Sequence, residues 1–337
     1  MNATDTETAE PQDAGAPAPR QMGFLLLPQF SMISLAAAID PLRMANRLSG
    51  RHLYEWPLYC PGDAPVTASN GMLFRPTRRF GDGEGLSALF VVAGYDAAAV
   101  ESPDITQWLR QLARAGITLG ATSTGTLLLA RAGLLQDRRC TIHWENADSL
   151  REEFPRLHVT NELYEADEGV LTCSGGVAGL DMMLELIARD HGEALANAVA
   201  EQAIHPSIRP AHAAQRMSLE AKHRIRHPRL LRAVEIMRAH LDEQLPAREI
   251  AESAGISPRQ LERLFRRHFD RTPRQFYLEL RLDRAHDLLR QSTLSILEIA
   301  SACGFSSSSH FARCYRRRFG RSPGATRSGR GDGAVAR

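Results

Sequence analysis

REIAESAGIS at residues 248–257 and LEIASACGFS at residues 297–306 are two near-copies of one phrase, 49 positions apart. Ile250 matches Ile299, Ala251 matches Ala300, Gly255 matches Gly304 and Ser257 matches Ser306. After one inserted residue the match resumes at an offset of 50, pairing Arg263 with Arg313, Phe265 with Tyr315, Arg267 with Arg317 and Pro273 with Pro323. A repeat of this length means one structural unit used twice. Each copy reads as a short helix, a glycine turn, a serine N-cap and a second helix that ends in basic residues. That is the pattern of a helix-turn-helix. Gly255 and Gly304 stand where a tight interhelical turn takes a positive φ, which glycine adopts at no steric cost. Leu261, Leu264 and Phe265, like Phe311, Cys314 and Tyr315, are spaced to face inward and leave Arg259, Arg263, Ser309, His310 and Arg313 outward. A plain helical bundle with solvated arginines predicts neither the repeat nor its turn glycines.

The surroundings extend this reading. RQFYLELRLDRAHDLLRQS (274–292) is a long amphipathic helix between the two copies, and PRLLRAVEIMRAHLDEQL (228–245) begins with Pro at N1. Residues 228–337 hold 21 Lys+Arg and 12 Asp+Glu, whereas residues 1–227 hold 20 and 27. A basic third on an acidic body points to a polyanion partner for that third alone. Arg bonds guanine bidentately and Glu accepts from cytosine. Arg259, Glu262 and Arg263 of one unit and Ser309, His310 and Arg313 of the other are therefore the candidate base readers, in major grooves roughly 34 Å apart. Arg317, with Arg316 and Arg318, is expected at phosphate, and Arg267 is the repeat partner of Arg317.

Upstream the period changes. GFLLLPQ (23–29) and ALFVVAG (88–94) read as strands, while ISLAAAIDPLRMANRL (33–48) and PDITQWLRQLARAG (103–116) read as helices. The alternation continues to about Ile204 and predicts an α/β domain with a mainly parallel sheet flanked by helices. Ligands in such sheets bind beyond the carboxyl ends of the strands. GATSTG (120–125), a bend between a strand and a helix, is expected there. The predicted organisation is a disordered tail at 1–20, an α/β domain at 21–205, a linker at 206–227, a DNA-binding domain at 228–327 and a second tail at 328–337.

Other classes are disfavoured. No apolar run approaches the roughly 18 residues of a membrane span, and the N-terminus lacks the n- and h-regions of a signal peptide. Five scattered cysteines without a CxxC pair fit a reducing cytoplasm. Only His223 and His227 have i,i+4 spacing, and Pro228 argues against a helix through both, so no metal and no cofactor is expected.

GISPRQLERLFRRHFDRTP and GFSSSSHFARCYRRRFGRSP resemble the AraC/XylS-type DNA-binding domain, two helix-turn-helix units joined by a long helix. Residues 21–205 resemble the ThiJ/PfpI-type, glutamine-amidotransferase-like domain. PLRMANRLSGR, CTIHWENADSLREEFPRL and TCSGGVAGLDMMLELI together resemble the GlxA-type regulators. The resemblance implies a transcriptional activator that binds operator DNA and a small-molecule effector, acts as a homodimer and engages RNA polymerase. Some members of that group respond to amines such as glycine betaine or carnitine. Catalytic members of the superfamily carry a cysteine at the bend, with a His and an acidic residue nearby. Here Ser123 stands in its place, and Ala121 occupies the first Gly of a G-x-S-x-G elbow.

Two uses of the bend stay open in the sequence. As a nucleophile, Ser123 needs His143 as base and Asp40 as carboxylate. As a binding feature, the bend offers backbone N–H groups and the Ser123 and Thr124 hydroxyls as donors, with His143 orienting the ligand or packing beneath it. A quaternary amine would also need aromatic faces, from Phe30, Tyr95 or Trp144, and a counter-charge from Asp40 or Glu145. Three functions follow: a ligand-responsive regulator, a ThiJ/PfpI-type hydrolase or amidase with an accessory DNA-binding domain, or a constitutive DNA-binding protein dimerised by its first domain.

Overall fold

The computed structural model describes residues 18–95, 97–100, 102–216 and 227–328. The expected tails lie almost wholly outside these residues, as does the later part of the expected linker.

In β1 (Arg20–Leu26) Met22, Phe24 and Leu26 point to one face of a sheet while Leu25 points to the other. Two apolar layers result, one on each face. Short strands β2 (Tyr54–Glu55) and β3 (Leu58–Tyr59) pair with β1 on one side. On its other side lie, in order, β6 (Leu86–Val92), β7 (Thr118–Thr122), β11 (Val170–Cys173) and β10 (Tyr164–Asp167). All pairings in this seven-stranded sheet are parallel except β10 with β11. β4 (Val66–Thr67) and β5 (Leu73–Phe74) form a separate hairpin, and β8 (Arg139–Cys140) pairs with β9 (His158–Val159). Helices α1 (Met32–Ser49), α5 (Ala178–His191) and α6 (Glu193–Gln202) contribute to one layer. The other takes α2 (Pro103–Arg114), α3 (Thr126–Arg131) and α4 (Ala147–Glu153). Strand order reverses at β1, so the carboxyl ends of β1, β6 and β7 frame a crevice.

Residues 206–216, expected as the start of the linker, are part of this domain. Asp181 on α5 is fully buried, and a buried carboxylate needs partners. Arg209 supplies them, with Nη2 at 2.6 Å, Nε at 3.0 Å and its backbone N at 2.7 Å, and His205 Nε2 adds a contact at 2.8 Å. Gln215 Nε2 then bonds Thr141 Oγ1 and the Ile142 and Glu162 carbonyls.

The second domain is helical: α7 (Pro228–Ala239), α8 (Ala247–Ser253), α9 (Pro258–Phe269), α10 (Pro273–Gln291), α11 (Ile296–Ala302), α12 (Ser308–Phe319) and α13 (Pro323–Ser328). It has two cores. Leu230, Ile250, Leu261 and Phe265 fill one, and Leu288, Ile299, Phe311 and Tyr315 fill the other. α10 joins them, giving Tyr277 to the first and Leu282, Ala285 and Leu289 to the second. Gly255 and Gly304 both have φ 70°. The inserted residue of the second copy falls just before its helix, because Ser307, one position beyond the matched Ser306, is the N-cap of α12. Among the described residues, no helix is long and apolar enough to cross a membrane.

Candidate functional site

The two second helices of the repeat present similar outer faces. On α9 the capping box of Ser257 and Gln260 fixes the helix start, and Arg259, Glu262, Arg263 and Arg267 are exposed. On α12 Ser309, Arg313 and Arg317 are exposed, while His310 is half-buried against Phe305 and near Cys314 Sγ. Arg259, Arg263, Arg267, Arg313 and Arg317 make no ion pair among the described residues, and Glu262 holds Arg266 at 3.7 Å. Arg318 differs from the expectation of a phosphate contact. Its guanidinium folds back onto Asp283 at 2.8 and 2.9 Å and lies 3.7 Å from Glu279. The two carboxylates on α10 are close enough to capture it, which spacing along α12 does not reveal.

At the carboxyl edge of the sheet, Ser123 opens the turn after β7 with φ 56°, a left-handed conformation uncommon outside glycine. Gly125 follows because a Cβ there would sit 2.2 Å from the Val91 carbonyl oxygen. Ser123 is almost buried, packed under Gly175. Burial pushes the Cys173 thiol up to about 11, so it stays protonated, although the neighbouring Gly175 and Ser123 N–H groups act the other way. Thr124 Oγ1 donates to the Gly94 carbonyl at 2.5 Å. That corrects the expectation of a Thr124 donor, since its single hydroxyl hydrogen is engaged and only its lone pairs face a ligand.

The remaining expected ligand residues separate. Tyr95, exposed, and Thr124 line one crevice of about 10 Å³, the room of a single water. His143 turns to Glu145, 3.8 Å away, and lies against Trp144, and burial lowers its pKa. Among the described residues it makes no hydrogen bond to Ser123. Trp144 is exposed and carries the Arg216 guanidinium 4.1 Å from its ring centroid. Asp40 is not at the bend: α1 runs on through Pro41 with Ala38 and Leu42 inward, leaving Asp40 outside on Arg43 at 2.9 Å. Phe30 is wholly buried and packs edge-on against Phe74, so it is core.

The comparisons agree with this geometry. The DJ-1/PfpI family matches residues 28–189 and a helix-turn-helix domain matches residues 250–329. The HTH-type transcriptional regulator CdhR of Pseudomonas aeruginosa is 45% identical over 305 residues, which span 90% of each chain. The chain belongs to the AraC-family transcriptional regulators with a DJ-1/PfpI domain. ArgR of the same organism is 42% identical, over 94% of this regulator and 95% of that one. The crystal structure of an AraC family transcriptional regulator from Pseudomonas putida superposes at a TM-score of 0.51 and 28% identity, covering 55% of this regulator and all of that chain.

Three functional candidates in the regulator have no signal in its sequence. Arg281, buried on α10, donates to the Gly304 carbonyl at 3.1 Å and lies over the Phe305 ring, bracing the second turn. Arg284, one helical turn away from Asp287, crosses to α4 and bonds Glu152 at 2.8 Å, with Asp148 at 3.6 Å. Gln291, at the end of α10, closes the crevice that Tyr95 and Thr124 line. Each depends on which helices meet, which single-helix periodicity does not encode.

Proposed function

We propose that the protein is a ligand-responsive transcriptional activator, with α9 and α12 reading operator DNA and the α/β domain sensing a small amine or amino-acid derivative. The carrying observation is the pair of matched, exposed arginine faces on the repeat, with Arg263 and Arg313 at equivalent positions and without ion partners among the described residues. Arg259, Glu262, Ser309 and His310 add base contacts, and Arg267 and Arg317 meet phosphate. The acting form is a cytoplasmic homodimer that engages RNA polymerase.

Binding, not turnover, is the role of the bend. His143 is directed to Glu145, and Asp40 stands outside. A serine nucleophile without a base at hydrogen-bond distance is a weak one. Trp144 supplies an aromatic face for a quaternary amine and Glu145, next to it, the counter-charge, while Tyr95 stands apart in its own crevice. Titrating purified protein with operator DNA and candidate amines, alongside ester and amide substrates, tests the reading. Effector-dependent affinity supports it. Turnover that vanishes in Ser123→Ala supports the hydrolase, and ligand-insensitive affinity supports the constitutive protein.

A further inference from the structure

The two domains meet where Arg284 of α10 crosses to α4. Beside this contact runs a groove of about 680 Å³ that reaches past Trp144 and Glu145 into the DNA-binding domain. From the sensor domain it is lined by Trp144, Glu145 and Arg216, and from the DNA-binding domain by Arg238 and Asp287.

Two opposite charges in this groove are unsatisfied. Arg238 on α7 makes neither an ion pair nor a hydrogen bond among the described residues; burial and the neighbouring Arg216 both disfavour its charge. Asp287 on α10 likewise has no ion pair among the described residues. Burial pushes its carboxyl up to about 7, helped by Glu145 and Asp283. Removing a charge from water without a partner is unfavourable. Arg238 and Asp287 line one cavity yet do not pair with each other, so the groove presents an unpaired charge of each sign to a ligand. Trp144 shows that its face accepts a cation, since Arg216 already lies on it. Ser149, only 4% exposed and lining both this groove and the Tyr95–Thr124 crevice, keeps its Oγ without a hydrogen-bond partner among the described residues.

We infer that this groove binds a small zwitterion, its ammonium toward Asp287, Glu145 and the Trp144 face and its carboxylate toward Arg238 and Arg216. The inference rests on the ligand-responsive reading and extends its site from the Tyr95–Thr124 crevice, with which the groove shares Ser149, to the Trp144 and Glu145 side. Because the binding groups come from both domains, occupancy and the docking of the DNA-binding domain are linked: the ligand favours the arrangement in which both sets face it.

The test is calorimetric titration of the full chain with glycine, 4-aminobutyrate and 6-aminohexanoate, their trimethylammonium counterparts, and butylamine and butyrate as single-charge controls. At least one zwitterion binds and neither control does. Arg238→Gln and Asp287→Asn each weaken that binding by about tenfold or more. Both variants keep the circular dichroism of the parent, and Glu145→Gln provides a third, outlying removal of charge. Absence of binding by every zwitterion, equal binding by a single-charge control, or unchanged affinity in Arg238→Gln and Asp287→Asn overturns the groove assignment. Ligand response as such fails separately, when no candidate effector changes operator affinity in the same preparation.

Discussion

Arg263 and Arg313 carry the base-reading proposal, and their geometry makes it testable one residue at a time. Each stands at the middle of an exposed face, where an arginine can hold a guanine edge bidentately. Arg263→Ala and Arg313→Ala are each expected to cost about 1–3 kcal/mol on the preferred operator and to relax preference at one position, measured by competition binding. Arg317→Ala is expected to weaken all sequences alike and to reduce the salt slope by about 1. At the bend, Ser123→Ala is expected to weaken effector-dependent transcription by about 0.5–1.5 kcal/mol, rescued by excess effector, because a neutral hydrogen bond contributes that much. Loss beyond rescue, or an adduct on Ser123, would contradict the binding role. The arginine faces were legible from i,i+3 and i,i+4 spacing, since one helix decides them. The ligand residues were legible only in part. Tyr95 and Thr124 share a crevice, whereas Asp40 and Phe30 were assigned by distance along the chain, which does not record that α1 turns one outward and the core takes the other.

At the scale of elements, the two turn glycines share a φ of 70° but not a neighbourhood. A Cβ on Gly255 would meet nothing within 4 Å, whereas one on Gly304 would come 3.0 Å from the Asp242 backbone and 3.1 Å from Arg281 Nη1. Gly255→Ala is expected to cost about 1–2 kcal/mol from the left-handed backbone alone. Gly304→Ala is expected to cost more, read as a larger fall in Tm; equal falls would show that the second turn is not braced by Arg281. The repeat makes these elements legible in the sequence, because one unit written twice cancels the ambiguity of each copy. Boundaries were less visible. The helix read over 228–245 stops at Ala239, and the Tyr277 hydroxyl of α10 donates to the His240 carbonyl where the chain leaves it. That bond joins residues far apart in sequence, so no local pattern announces it.

Across the whole molecule, the seam between domains is where ligand and DNA functions meet, and Asp287 makes it sensitive to pH. Its folded pKa, about 7, lies above the roughly 4 of a free aspartate. The folded chain therefore holds this proton more tightly than the unfolded one. The associated stability is full below about pH 4 and is lost as pH rises through about 7. Glu145 and Asp148 from the sensor domain and Asp283 from α10 push in that direction, and Arg290 opposes them. Asp287→Asn is expected to melt above the parent at pH 8 and level with it at pH 4; an unchanged difference between the two pH values would contradict the buried-carboxyl account. The central claim, that one duplicated unit reads two grooves, is tested most directly by hydroxyl-radical footprinting of the full chain on its operator. The account predicts two protected segments on one face, about 34 Å apart. Arg263→Ala should reduce protection in one segment and Arg313→Ala in the other. A single protected segment, or uniform fading of both in either variant, would contradict it.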